Sequence, residues 1–246
     1  MDSLIKIMTK SNKFNDYLKD IKDKKFPLSL TGLTDVAKVH MSYATSFYLN
    51  KPFIIITYNE IQAKKLIKDL QYFNSNVLSF PKKEILTYDV EAESKQISNI
   101  RLNALNSILK GENPIIVTTI EAINQRIIAK QDLSKDVFEI NLNSDYDLED
   151  IKQKLVNLGF ERTDLVEGKG QFSVRGGIID IAPVESDNGI RIELWGDSVD
   201  SIRHFDIESQ RSIDNIDSIT IYPVTEFLLT DSLENICENI LSKEYT

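Results

Sequence analysis

Residues 168–206 combine short runs of alternating apolar and polar side chains with closely spaced turns. Phe172 and Val174 alternate with Ser173 and Arg175, as in a strand with one face on a core. The turns contain glycine or an Asn/Asp residue, which tolerate the positive φ of tight turns, at 168–170, 176–177, 186–189 and 196–198. This segment therefore predicts a meander of antiparallel strands.

A second run in the same segment also alternates, with Ile190, Ile192 and Leu194 on one side and Arg191, Glu193 and Trp195 on the other. Arginine and tryptophan are the residue types most enriched at the centres of protein interfaces. The outward row is therefore a candidate recognition surface. The same pattern equally fits a solvated face with a half-packed tryptophan.

The chain before residue 122 alternates between strand-like and helix-like segments. The β-branched runs at 52–57 and 114–119 are typical of strands covered on both faces, and shorter apolar runs at 26–30 and 77–80 predict further strands. Helical periodicity occurs at 36–48, 61–73 and 97–109. This order predicts an α/β domain with a mostly parallel sheet of βαβ units.

The pattern after residue 122 is different. It predicts a helix through Ile123, Ile127 and Ile128, a strand at 137–140, and a helix at 148–158 that Asp147 caps. The meander, a strand at 216–227 and a helix at 233–241 follow. Helices followed by antiparallel strands indicate an α+β domain. We predict an α/β domain at 1–122, an inserted α+β domain at 123–209, and a return strand and helix on the first domain at 210–246.

The net charge of −9 is distributed unevenly along the chain. Residues 1–120 hold 17 Lys/Arg and 12 Asp/Glu, a net charge of +5, whereas residues 121–246 hold 12 and 26, a net charge of −14. The second half would repel a nucleic-acid backbone over most of its surface. A protein is therefore the expected partner of the meander.

Composition also bears on compartment and on metal chemistry. A single cysteine, Cys237, cannot form an internal disulfide and fits a reducing cytosol. No apolar run approaches the roughly 20 residues that span a bilayer, and no secretory signal is visible, so we expect a cytoplasmic protein that does not bind membranes. His40 and His204 lack neighbours with metal-ligand spacing, so no metal site is expected.

The motifs FSVRGGIIDIAPVE at 172–185, IRIELWGDSVDSIRHFD at 190–206 and QRS at 210–212 resemble the nucleotide-excision-repair protein UvrB. They are still more similar to the UvrB-homology module of the bacterial transcription-repair coupling factors (Mfd). The resemblance covers nearly the whole chain. It implies a P-loop-NTPase-like domain with a parallel sheet and an inserted α+β domain that binds UvrA through arginines on its sheet.

The resemblance also identifies a candidate nucleotide loop at 29–36. A P-loop needs glycines, a lysine for the phosphates and a Ser/Thr for magnesium. When Thr31 and Gly32 are aligned with the UvrB pattern, Thr34 replaces the last glycine, Asp35 the lysine and Val36 the magnesium ligand. A carboxylate at the lysine position would repel phosphate. We therefore predict a degenerate loop and no cofactor in this stretch, with ATP and magnesium bound by translocase domains elsewhere in a coupling factor.

A second departure from UvrB concerns DNA damage. UvrB has a tyrosine-rich hairpin where this chain has the short segment 80–90 with one tyrosine, Tyr88. Stacked aromatic side chains are the usual means of holding unpaired bases. The chain thus resembles a coupling factor more than a damage-probing UvrB.

The resemblance assigns UvrA binding to residues in the α+β domain. Arg162 and Arg175 match arginines of the family, and Phe172 begins the motif that contains Arg175. Ser173 replaces a family arginine and Ala182 replaces a phenylalanine, so one charge and one aromatic ring are missing. The alternative is that the two arginines form ion pairs within the chain, with Asp164, Asp180 or Glu193.

The function implied by the resemblance is recruitment of UvrA to RNA polymerase stalled at DNA damage. The parent protein would be an ATP-dependent translocase on double-stranded DNA that displaces the polymerase, whereas no catalytic residue is predicted in these 246 residues. One alternative is an active UvrB-like damage-recognition ATPase. Another is a nucleic-acid-binding module that uses the basic first half.

Overall fold

The computed structural model describes residues 2–83 and 91–226. Contacts divide the chain into two compact units, the first with Met1–Lys82 and Lys110–Gln125 and the second with Lys83–Leu109 and Arg126–Thr246. The three-part division at residues 122 and 209 stays a prediction. The predicted helix at 233–241 with Cys237, and residues 84–90 of the short segment that replaces the UvrB hairpin, lie outside the described residues.

In chain order the described elements are α1 (Asp2–Met8), α2 (Asn12–Lys22), α3 (Asp35–Leu49), β1 (Phe53–Thr57), α4 (Glu60–Gln71), β2 (Val77–Phe80), α5 (Glu91–Leu109), β3 (Ile115–Thr119), α6 (Ile120–Ile123), α7 (Lys130–Ser134), β4 (Phe138–Asn141), α8 (Leu148–Asn157), β5 (Glu161–Arg162), β6 (Gln171–Arg175), β7 (Ile178–Ile181), β8 (Asn188–Trp195), β9 (Ser198–Asp206), β10 (Ser212–Asn215) and β11 (Ser218–Ile221). The combination of parallel and antiparallel sheets makes the fold mixed α/β, as the sequence predicts.

The first unit contains a parallel sheet whose described strands have the order β1-β3-β2. Every residue of β3 is buried, which confirms the predicted doubly covered strand at 114–119. The same prediction for 52–57 is wrong, because exposure alternates along β1 and Ile54 and Ile56 are 52% and 50% exposed. Helices α3 and α4 cover one face, and their apolar side chains form a core with the strands: Val39, Ala63, Leu70, Val77, Ile115 and Val117. The β1-α4-β2 connection is the βαβ unit that the alternating pattern indicates.

Two predicted elements of this region are wrong. Residues 26–30 form no strand; their apolar side chains Phe26, Leu28 and Leu30 are exposed and no ladder pairs them. The apolar run therefore misled the prediction, since hydrophobicity alone does not supply a pairing partner. The helix predicted through Ile127 and Ile128 ends at Ile123, where α6 stops.

The second unit is built on an antiparallel meander, as predicted. Within the described residues its main sheet has the strand order β10-β9-β8-β7-β6-β5, and only the β5–β6 pair is parallel. Helix α8 packs against one face of this sheet through Ile151 and Leu155, and the core includes Phe172, Ile179 and Ile192. We call this covered side the inner face and the opposite side the outer face.

Local sequence signals explain how α8 is positioned. The Asp147 carboxylate accepts a hydrogen bond from the Glu149 backbone N–H at 2.8 Å, which confirms the predicted N-cap. After the helix, Gly159 adopts a φ of +88°, and a side chain there would overlap Thr225. The helix is thus fixed at both ends by the residues that delimit it in the sequence.

The second unit also includes α5 and the segment that follows the meander. Strand β10 pairs with β9, and β11 pairs with β4 in a separate two-stranded ladder, so the described part of 210–246 pairs within this unit. On α5, the Arg101 guanidinium forms hydrogen bonds of 2.8 and 3.0 Å with the Glu226 carboxylate, and both side chains are buried. The Asn106 amide donates to the Pro223 carbonyl at 2.9 Å.

Two further observations cover the described residues as a whole. None of their helices is both long and apolar enough to cross a membrane. Across the same residues, no three His, Cys, Asp or Glu side chains come together in a way that would hold a metal ion.

Candidate functional site

The outer face of the meander carries two rows of mostly polar side chains that run across the strands. Strand register aligns one row as Ser173, Asp180, Arg191 and Arg203 and the next row as Arg175, Ile178, Glu193 and Ser201. Successive residues in a strand point to opposite sides, so both rows lie opposite the hydrophobic core. This face therefore concentrates three arginines and two carboxylates in neighbouring positions.

A buried carboxylate organises the first row. Asp180 has no solvent exposure, and its Oδ1 accepts a hydrogen bond from Arg191 Nε at 2.6 Å. Its Oδ2 accepts from Arg191 NH2 at 2.9 Å and from Arg175 NH2 at 2.7 Å. These hydrogen bonds with Asp180 raise the pKa of Arg191 above its ordinary value. One buried acid thus holds two guanidinium groups, which keeps its charge compensated.

Arg191 is fixed from its other side as well. Its guanidinium carbon lies 4.6 Å from the centre of the Phe205 ring, a distance at which cation–π attraction operates. The side-chain and backbone oxygens of Gln210 accept further hydrogen bonds from Arg191 at 3.3 and 3.4 Å. Gln210 in turn donates to the carbonyls of Val166 and Ile207. Arg191 therefore acts as a structural brace.

Arg175 differs from Arg191 in its exposure. The Arg175 side chain is 49% exposed, whereas that of Arg191 is 16% exposed. Within the described residues, Arg175 donates to Asp180 through NH2, and the half-exposed guanidinium has further N–H donors at Nε and NH1. The intramolecular pairing with Asp180 is therefore present, and it leaves the guanidinium accessible.

Another ion pair joins the two rows. Arg203 NH2 contacts Glu193 Oε1, and Glu193 Oε2 accepts a hydrogen bond from Ser201 at 3.1 Å. Both charged side chains are partly exposed. Together with Arg175, Arg191 and Asp180, the two rows carry three positive and two negative charges.

The structure separates the two arginines assigned to UvrA binding. Both are exposed. In the parallel β5–β6 pair, Arg162 aligns with Phe172, whose side chain lies on the inner face. Arg175 lies on the outer face, three residues further along β6. Register therefore places the two arginines on opposite sides of the sheet, with Arg162 at its β5 edge.

The other three assigned residues are buried and are not accessible to a partner. Phe172 lies in the main core, and Ser173 lies on the outer face but is covered. Ala182 packs with Val166 and Phe205 in a small apolar cluster on the outer face. Of this cluster, Val166 comes from the segment before β6 and Phe205 from the end of β9. These three side chains thus contribute to the packing of the sheet, whereas Arg162 and Arg175 are exposed and can contact a partner directly.

Sequence reasoning missed Arg191 and Arg203 as parts of the site, although Arg191 was in the predicted outward row. The alternation in β8 places Arg191 on the outer face, and the strand order brings it beside Asp180. Sequence alone does not provide the register across three strands that aligns Arg191 with Asp180 and Ser173. Arg203 follows from the same register on β9.

The predicted nucleotide loop lies in the first unit. Thr31, Gly32, Thr34, Asp35 and Val36 are exposed, and Gly32 has a φ of +76°. Hydrogen bonds from Lys65 and Lys38 lower the pKa of the Asp35 carboxyl below its ordinary value.

The Thr34 hydroxyl accepts a hydrogen bond from the Ala37 backbone N–H and caps α3, which starts at Asp35. The side-chain oxygen atoms of Thr34 and Asp35 therefore already form hydrogen bonds or ion pairs within the protein. Because residues 26–30 form no strand, the strand–loop–helix order typical of a P-loop is not present at this position.

Comparison with known proteins identifies a family domain in the second unit and relatives over most of the chain. Residues 138–227 match the UvrB interaction domain family. Over 231 residues the chain is 33% identical to the transcription-repair-coupling factor of Bacillus subtilis (strain 168), an alignment that covers 93% of this chain and 20% of the relative. The transcription-repair-coupling factor of Staphylococcus epidermidis (strain RP62A) is 34% identical over 219 residues, 88% of this chain and 19% of the relative.

A third relative, the transcription-repair-coupling factor of Staphylococcus aureus (strain bovine RF122 / ET3-1), is 32% identical over 206 residues, 83% of this chain and 18% of the relative. The chain spans about a fifth of the length of the curated relatives it matches. These matches confirm the resemblance that the motifs of the meander indicate. The chain belongs to the transcription-repair-coupling factor family and contains a UvrB interaction domain.

Proposed function

We propose that the outer face of the meander and its β5 edge bind UvrA, and that this contact links a transcription-repair coupling factor to nucleotide excision repair. The observation that carries the proposal is the Arg175 guanidinium, which is half exposed and held in place by the buried Asp180. It lies inside the region that matches the UvrB interaction domain.

The chemistry of Arg175 suits recognition of an acidic partner. A guanidinium is a planar fork that binds a carboxylate through two parallel hydrogen bonds. Because Asp180 already fixes one end of the group, less side-chain freedom is lost when a partner binds. The acidic surroundings disfavour DNA at this face, since residues 121–246 carry a net charge of −14.

The test measures the affinity of purified UvrA for the 246-residue chain by calorimetry. Arg175→Ala is expected to weaken binding about tenfold or more, which corresponds to the loss of roughly 1.4 kcal/mol. Arg175→Lys keeps the charge and loses the fork, so it is expected to weaken binding less. Arg126→Ala, an exposed arginine outside the meander, is the matched control and should bind as the wild type does. Equal affinity for the Arg175→Ala variant and the wild type, with native circular dichroism, would remove Arg175 from the site.

Arg162 tests how far the contact extends. Since register places it on the opposite side of the sheet from Arg175, a partner that touches both must cover the short edge strand β5. Edge strands with open hydrogen-bonding groups can be contacted in this way. A loss of affinity in both Arg162→Ala and Arg175→Ala supports binding over the edge. A loss only in Arg175→Ala limits the contact to the outer face.

For the loop at 31–36, we propose that it binds no nucleotide. The exposed Asp35 carboxylate at the start of α3 would repel the phosphates that a helix N-terminus otherwise attracts. The Thr34 hydroxyl already caps the helix. Titration with ATP and magnesium is expected to give no saturable heat, and a dissociation constant in the micromolar range would refute this proposal and favour an ATP-binding UvrB-like protein.

Beyond the chain itself, we propose that the whole protein engages stalled RNA polymerase and moves on double-stranded DNA with ATP and magnesium bound in other domains. The support is membership of the coupling-factor family, of which this chain spans a fifth. A DNA titration at several salt concentrations tests the alternative use of the basic first half. Binding with a steep salt dependence would indicate phosphate contacts by this chain.

A further inference from the structure

Trp195 is the most exposed of the large hydrophobic side chains in the described residues, with 86% of its surface open to solvent. It is the last residue of β8, and an irregularity in the β8–β9 ladder lies just before it, where Glu193 aligns with Ser201 but Leu194 aligns with Val199. Such a bulge increases the local twist and redirects the side chains that follow. The bulge thus accompanies an outward-directed tryptophan.

The strand register places Trp195 on the outer face near Arg175. Glu193 and Trp195 lie on the same side of β8, and Glu193 is in the row that contains Arg175 and Ile178. The spacing of residues and strands in a sheet puts the Cα atoms of Arg175 and Trp195 on the order of 10 Å apart. A partner surface of ordinary size, about 800 Å², covers both.

The turn between β6 and β7 keeps the space beside Trp195 open. The Leu194 backbone N–H donates to the Gly177 carbonyl at 2.8 Å, so this turn lies directly against the end of β8. Gly177 has no room for a side chain, because an added Cβ would lie 2.6 Å from the Leu194 carbonyl oxygen. Gly176 and Gly177 are both exposed. No side chain of this turn therefore covers the indole.

The fold itself does not use the Trp195 indole. The core cluster of the second unit takes Leu194 from the inner side of the same strand and leaves Trp195 out. Ala182, which lies on the outer face, is fully buried and offers no apolar surface to a partner. The outer face thus has exposed positive charge at Arg175 and a large, strongly exposed apolar group at Trp195.

We propose that Trp195 is the apolar anchor of the partner-binding face and acts together with Arg175. The partner supplies an apolar pocket for the indole and a carboxylate for the half-exposed Arg175 guanidinium. Tryptophan and arginine are the side chains that most often dominate interface energies, and they do so when a partner excludes water from them. This inference rests on the proposed function, and its occupant is the same partner, UvrA.

The first experiment compares the UvrA affinity of Trp195→Ala with that of the wild type. Because the side chain is exposed, the substitution should leave the urea midpoint of unfolding unchanged. The expected result is a loss of affinity of tenfold or more. Tyr72→Ala is the matched control, since Tyr72 is also an aromatic residue with 75% exposure but lies in the first unit, and it should bind as the wild type does.

The second experiment uses the fact that Trp195 is the only tryptophan of the chain. Incorporation of 5-fluorotryptophan gives one fluorine resonance, which unlabelled UvrA does not obscure. On titration with UvrA this resonance is expected to shift or broaden, and its solvent isotope shift should fall as water is excluded from the indole.

The outcomes separate the two hypotheses. If the wild-type chain binds UvrA and Arg175→Ala weakens binding, while Trp195→Ala binds normally and the fluorine resonance stays unchanged at saturation, the anchor proposal is refuted and the proposed function stands. If wild-type chain and UvrA do not bind at all, the proposed function fails, and the anchor proposal fails with it.

Discussion

The buried ion pair between Arg101 and Glu226 gives a sharp prediction about the stability of the second unit. It connects α5 to a residue 125 positions later, with side-chain exposures of 1% and 4%. Lys83 also contacts the Glu226 carboxylate, at 3.3 Å. Arg101→Met keeps most of the apolar stem but removes the guanidinium, so that within the described residues the buried carboxylate keeps only the partly exposed Lys83 as an ion-pair partner.

The expected magnitude follows from this geometry. Breaking a buried pair by removing one partner typically costs about 3–5 kcal/mol, because a desolvated charge loses its compensation. Lys83 provides some compensation, and we therefore expect Arg101→Met to lower the free energy of unfolding by about 2–4 kcal/mol. A domain with a total stability of about 5–15 kcal/mol would show this as a large shift.

Urea titration followed by far-UV circular dichroism measures the effect. The double variant Arg101→Met/Glu226→Gln serves as the matched comparison. It removes the unpaired charge and should recover part of the loss, although its buried amide still needs hydrogen-bond partners. A urea midpoint for Arg101→Met within error of the wild type would refute the reasoning. So would purely additive losses, in which the double variant is less stable than Arg101→Met by the full loss that Glu226→Gln alone causes in the wild type.

Three further predictions concern the second unit. Burial raises the pKa of Glu226, but Arg101 and Lys83 outweigh this effect and hold the pKa below its ordinary value. Glu226 should therefore contribute stability above about pH 4.3, and this contribution should be lost as the pH falls through the folded pKa. When the free energy of unfolding is measured against pH in acid, it should depend less on pH in Glu226→Gln than in the wild type. Gly189→Ala should destabilise by about 1–3 kcal/mol in urea titrations, because the new Cβ would lie 2.3 Å from the buried Phe205 ring. Asp147→Ala should cost about 1 kcal/mol through loss of the α8 cap, and an unchanged melting temperature would contradict this.

The sequence predicts best the elements whose signals are local. Strands β1 and β3 follow from continuous β-branched runs, and helix α8 follows from its periodicity and its Asp147 cap. The run at 26–30 shows the limit of this approach. It is as apolar as a strand, but a strand exists only where a neighbour completes its hydrogen bonds, and sequence does not reveal neighbours.

The candidate site shows the same limit at the level of side chains. Alternation correctly predicts that Ser173 and Arg175 lie opposite Phe172, but it treats both outward positions alike. Their burial differs, since Ser173 is 1% exposed and the Arg175 side chain is 49% exposed, and on the same face Val166, Ala182 and Phe205 pack together as an apolar cover.

This cover comes from separate parts of the chain, and its position depends on the register of four strands. The same register brings Asp180 beside Arg175 and Arg191. As a result Arg191 is held inside the face, whereas the Arg175 guanidinium stays accessible. The burial of each side chain is therefore a property of the assembled sheet. It decides which residues support the face and which can contact a partner. A motif that matches residue by residue identifies the face, whereas the choice between Arg175 and Ser173 as its contact requires the three-dimensional structure.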